Sequence, residues 1–227
     1  MKKIIFAFIL ISIFQILAAS QADSRLVNAV ANGNLREVQN LVSGGMEVNA
    51  FDHLSGNTLL SIAASKGYKE VIEFLLKSGA DPNFNDIEGE SPLLFAIRNN
   101  MLLIVRQLVE GGADLDAGDK RQVTPLMCAI FTGRDEIAEY LIGKGVKLDA
   151  RNNQGATALM YAAATGNQKM AELLLEKGAD RNLLDQTGCS AAQIARNSGH
   201  VRIANLITDV KTAPRIKRET TVNPSIF

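Results

Sequence analysis

Two histidines, two cysteines and one run of oxygen-bearing side chains are where this 227-residue chain could do chemistry. In "DPNFNDIEGE", Asp81, Asn83, Asn85, Asp86 and Glu88 are spaced much as ligands are in a calcium loop. Such a loop needs Gly at its sixth place and a bidentate Glu at its twelfth. Those places hold Asp86 and Pro92, so the run reads as a turn. His53 and His200 fall four units apart in the repeat set out below, so they are not expected to share a metal or serve one catalytic triad. No Ser or Cys is placed to use either as its base, and no Gly-rich phosphate loop follows a strand pattern. The expectation is a chain that is not an enzyme and that takes no cofactor or metal.

What must position these residues is a repeat. Thr58, Ser91, Thr124, Thr157 and Ser190 recur every 33 residues. Ala63, Ala96, Ala129, Ala162 and Ala195 keep the same interval, as do Gly67, Asn100, Gly133, Gly166 and Gly199. A fixed period of this length marks stacked units, each unable to bury its apolar face alone. The Ser or Thr caps a helix, Pro92 and Pro125 occupy its first position, and Gly or Asn ends it left-handed. A second amphipathic helix follows, as in "DEIAEYLIGKG", with Ile137, Ala138, Leu141 and Ile142 inward. A turn rich in Asn, Asp and Gly then leads to the next unit. A degenerate first unit at 24–49 matches with an offset of 34, through Ser24, Leu26, Ala29, Gly33 and Gly45. The extra residue lies in "DHLSG", Asp52–Gly56.

Within this frame Cys128 falls on the buried side of a first helix, and Cys189 falls in a turn two units later. With helices stacked about 8–10 Å apart, the sulfurs lie roughly 20 Å from each other, too far for a bridge. Free thiols are expected, with Cys189 the more exposed. Phe74 and Tyr140 fall on the apolar stripe of second helices and are expected in the core, as are Phe95 and Tyr161 on first helices.

The units "DIEGESPLLFAI", "DKRQVTPLMCAI", "NNQGATALMYAA" and "DQTGCSAAQIAR" resemble the ankyrin-repeat family's turn and first helix. Gly79–Asn83 and Gly178–Asn182 resemble its unit ending. The resemblance covers residues 23–210 and implies an all-α solenoid of stacked helix pairs with β-turn fingers, about six units with the outer two as caps. Two departures stand out. The family's His after Leu is replaced by Ser61, Leu94, Met127, Met160 and Gln193, so the turns are expected to rely more on packing. The finger Gly is lost at Gln122, which puts the shape of that turn in question.

In the family, finger tips and first-helix ends line a concave groove that binds other proteins. Carried over by position, the expected contact residues are Glu88, Glu90, Arg98, Asn99, Arg121, Val123, Phe131, Thr132, Asn153, Gln154 and Thr165. Phe131 is the outlier of its row, where Ser65, Arg98, Ala164 and Asn197 are its counterparts. Aromatic and Arg anchors among polar residues are what interface hot spots are made of. The implied partner is another protein, bound by a monomer.

The ends carry separate signals. Lys2, Lys3, an apolar run from Ile4 to Ala19 and the small residues Ala18, Ala19, Ser20 and Ala22 form a signal-peptide pattern over 1–22. The run is shorter than the ~20 residues that span a bilayer. The expected mature protein is periplasmic or secreted and not membrane-embedded. Residues 23–210 hold 18 Lys/Arg against 23 Asp/Glu, a charge of −5, which argues against nucleic acid as a partner. Residues 211–227 read as a disordered basic tail, with Lys211, Arg215, Lys217 and Arg218 against Glu219. The function expected is an exported scaffold, in the manner of a bacterial periplasmic protein that binds and protects or inhibits another. The alternatives are a secreted effector engaging host proteins and a thiol-reactive protein acting through Cys189.

Overall fold

A computed structural model describes residues 24–209; the signal-peptide pattern and the basic tail lie outside them. Among the described residues, twelve helices form six successive pairs. They are α1 (Ser24–Ala31) and α2 (Leu35–Ser43), α3 (Leu59–Lys66) and α4 (Lys69–Lys77), α5 (Pro92–Arg98) and α6 (Leu102–Glu110). The series continues with α7 (Pro125–Phe131) and α8 (Asp135–Gly143), α9 (Ala158–Thr165) and α10 (Gln168–Glu176), α11 (Ala191–Asn197) and α12 (Val201–Thr208). First helices pack on first helices and second on second, which makes one continuous core along the stack. Among the described residues there is no sheet, only two isolated bridges, Phe51 with Thr58 and Leu184 with Ser190. The all-α solenoid expected from the sequence is what the chain forms.

The periodic residues do the work their types imply. Thr58, Ser91, Thr124, Thr157 and Ser190 hydroxyls each accept the N–H three residues on, at 3.0–3.4 Å. Each such cap contributes about 1 kcal/mol. The Ala row is fully buried, which lets neighbouring first helices approach closely. Leu60, Leu93, Leu126 and Leu159 fill the space beside it.

The fingers are tied by hydrogen bonds, which corrects the expectation that packing replaces the missing His. The side-chain oxygen of Asp86, Asp119, Asn152 and Asp185 accepts the backbone N–H two and four residues on, at 2.7–3.0 Å. Asp52, in the longer first finger, accepts from Leu54 and Ser55 instead. Fingers also bond to each other. Asn153 N–H donates to the Arg121 carbonyl and Gln186 N–H to the Gln154 carbonyl, both at 2.9 Å. Between the second and third fingers, the Lys120 ammonium reaches the Ile87 carbonyl at 2.6 Å.

Gln122 keeps the finger's shape despite lacking Gly's freedom. It sits at φ 59°, beside Gly56, Gly89, Gly155 and Gly188 at 73–79° in the other fingers. Its N–H still closes the turn on the Asp119 carbonyl at 2.7 Å. A side chain held left-handed costs about 1–2 kcal/mol, and the greater freedom of unfolded Gly offsets part of that. Gln122→Gly is therefore expected to raise the unfolding free energy by about 0.5–1 kcal/mol, read by urea denaturation.

Two finger carboxylates link the fold to pH. Burial pushes the Asp52 pKa up, but bonds from Ser55 and Leu54 outweigh this and leave it below the usual range. Bonds from Thr187 and Cys189 lower that of Asp185. A depressed folded pKa gives stability that is present above the unfolded value of about 3.9 and lost as pH falls through the folded one. Asn152 shows that Asn builds the same turn uncharged. Asp185→Asn is thus expected to keep the fold and flatten the loss of stability below about pH 4, measured by urea unfolding across acid pH.

Candidate protein-binding hollow

Between the second to fourth fingers and the first helices of the third to fifth pairs lies a hollow of about 650 Å³. Glu90 reaches it from the second finger, Arg121 and Val123 from the third, and Asn152, Asn153 and Gln154 from the fourth. The helices contribute Arg98 at the end of α5, Cys128 and Phe131 on α7, Thr132 just after it, and Tyr161 on α9.

Phe131 is 64% exposed, at the helix end where its counterparts are small or polar. It is nonetheless held. Its ring meets the Tyr161 ring edge-on, with centroids 5.8 Å apart and planes at 80°. The Tyr161 hydroxyl accepts the Asn152 side-chain N–H at 3.0 Å, and Asn152 is itself pinned by its two finger bonds. The aromatic wall is therefore fixed before anything binds, which reduces the ordering cost of association.

The charges are unequal. Arg98 donates to the Glu90 carboxylate within the same repeat. Burial opposes the Arg98 charge, but Glu90 outweighs it and raises the guanidinium's pKa above its ordinary value. Arg121 is exposed, and among the described residues no carboxylate pairs with its guanidinium. Two Arg and one Glu leave the hollow one positive charge in excess.

Cys128 forms part of the floor and is 4% exposed. Burial pushes its thiol pKa up, against the pull of Arg98, so it stays protonated at neutral pH. Cys189 is half-buried in the last finger, and both cysteines are free. Alkylation of the folded protein by iodoacetamide is expected to modify Cys189 and spare Cys128, as read by peptide mass.

Of the eleven residues expected from the sequence, eight surround this hollow: Glu90, Arg98, Arg121, Val123, Phe131, Thr132, Asn153 and Gln154. Three do not. Glu88 faces away to Lys120 at 3.7 Å, the Asn99 amide folds back on the Phe95 carbonyl, and the Thr165 hydroxyl donates to the Tyr161 carbonyl. Cys128, Asn152 and Tyr161 are the additions. The expectation that Phe95 and Tyr161 are core is corrected. Both are half-buried, as are Phe74 and Tyr140, which pack on the core's edge. The available signal was the row four places after each cap, where the small Cys128 is buried but the bulkier Ile62, Phe95, Tyr161 and Ile194 are only half-buried.

In the run at 81–90, one side-chain oxygen each of Asp81, Asn83 and Asp86 accepts backbone N–H groups, those of Asp81 and Asp86 within the run and that of Asn83 from Asp114. Among the described residues no group of three or more His, Cys, Asp or Glu could hold a metal. No described helix is long and apolar enough to cross a membrane. His53 is exposed, while His200 is half-buried with its ring against Gly166.

Comparison with known proteins agrees with this architecture. A family model described as "Ankyrin repeats (3 copies)" matches residues 9–86, 78–152 and 145–217. Human ankyrin repeat domain-containing protein 40 is 41% identical over 66 residues, 29% of this chain and 18% of that protein. The human mitochondrial disaggregase is 42% identical over 67 residues, 30% of this chain but 9% of its own length. A Rickettsia felis ankyrin repeat protein is 37% identical over 51 residues, 22% of this chain and 79% of that protein. The chain thus spans a small part of the two human proteins, and the likeness to them is one of repeats. Ankyrin repeats are in general scaffolds that bind other proteins, and this chain belongs to that family.

Proposed function

We propose that the chain is an exported, non-enzymatic scaffold that binds another protein in the concave hollow and protects or inhibits it. Its place of action is the periplasm or the cell exterior, a reading that rests on the basic start, apolar run and small residues of positions 1–22. The observation that carries the binding role is Phe131, exposed yet fixed by Tyr161 and flanked by Arg98 and Arg121. A large exposed aromatic beside Arg, ringed by polar side chains, has the make-up of an interface hot spot.

The test is affinity capture from the compartment that holds the protein, which fractionation identifies. Wild type is compared with a variant carrying Arg121→Ala and Phe131→Ala. Arg98 is left in place, because its removal would strand the part-buried Glu90 carboxylate. A captured protein lost with the double variant supports the proposal. Undiminished capture of every partner overturns the site, and retention of the chain in the cytoplasm overturns the export.

A further inference from the structure

The chemistry of the hollow narrows what enters it, given that the hollow is the binding site. We propose that it takes a short extended segment of another protein in which a bulky apolar side chain lies close to an Asp or Glu. A volume of about 650 Å³ accommodates one or two side chains of such a segment. The apolar anchor enters against the Phe131 and Tyr161 rings, which stand in a fixed edge-on pair. Further burial of the Phe131 ring, 64% exposed in the free protein, drives that entry.

The acidic residue meets Arg121. Its guanidinium is planar and always charged, and it offers paired donors that match a carboxylate. Arg98 cannot supply a second equal site, because Glu90 already occupies it. That same Glu90 carboxylate lines the hollow and repels a dianion. One unpaired Arg beside a Glu therefore favours a single carboxylate over a phosphate group. Like-charge repulsion likewise disfavours a basic segment next to Arg121.

The experiment is a display selection of random short peptides on the whole folded protein, followed by fluorescence anisotropy of a labelled selected peptide. The expected sequences carry Phe, Tyr, Trp or Leu beside Asp or Glu. Phe131→Ala and Arg121→Glu are each expected to weaken binding by about tenfold or more, with the helical signal and melting retained. Changing the peptide's acidic residue to Lys should weaken binding to wild type and restore binding to the Arg121→Glu variant. A residue with a merely structural role would not give that reciprocal rescue. Basic or uncharged selected sequences, tighter binding of the phosphoserine counterpart, no enrichment, or indifference to Arg121→Glu would each overturn the proposal. Capture of a partner that depends on Phe131, together with any of these results, would sink the segment chemistry and leave the hollow as the binding site.

Discussion

Leu126→Ala is expected to lower the unfolding free energy by about 2–5 kcal/mol, the largest stability effect of any substitution considered. Leu126 lies on α7 in the middle of the stack and is 1% exposed. Ala at this place loses the transfer energy of the removed methyls and leaves a cavity between α5 and α9. The neighbours cannot collapse into it, because the buried Ala96, Ala129 and Ala162 already set the first helices close together. Native stability is only about 5–15 kcal/mol, so the loss is a large share of the total. The architecture adds a second consequence. Each pair contacts only its neighbours, so a weakened central interface uncouples the two halves. Urea unfolding followed by circular dichroism should change from one transition to two, or to one of reduced slope. The same truncation at Ile203 on α12, in the last pair, should fray one end without splitting the transition. A Leu126→Ala protein within about 0.5 kcal/mol of wild type would mean that this helix does not couple the halves.

Phe131→Ala is expected to weaken binding of the captured partner about thirtyfold, equivalent to roughly 2 kcal/mol, while costing the fold about 0.5–1.5 kcal/mol. The two effects separate because the ring is mostly exposed, so its removal makes no internal cavity. What the free protein loses is the edge-on contact with Tyr161, worth about 0.5–1.5 kcal/mol. What the complex loses is an anchor and the water exclusion around it. Phe131→Leu should keep part of the affinity, because it retains apolar bulk without the ring. Titration calorimetry with the purified partner reads the loss, and thermal melting checks the fold. Equal affinity of the Ala variant would place the contact elsewhere on the protein.

The sequence by itself determined the repeat, its period, the capping residues and the buried Ala and Leu rows. Those features are local or periodic, and a helix cap or an amphipathic stripe needs only its near neighbours to have meaning. It also identified most residues around the hollow, because in a stack of equal units position within a unit fixes the face of the slab. Tertiary structure decided the rest. It turned Glu88, Asn99 and Thr165 to other partners, and it brought in Asn152, Tyr161 and Cys128. It paired Arg98 with Glu90 and left Arg121 without a carboxylate partner among the described residues, a distinction that depends on side-chain reach within the folded fingers. It also placed Gln122 in a left-handed turn, because the Asp119 bonds and the neighbouring finger hold the backbone there against the residue's own preference.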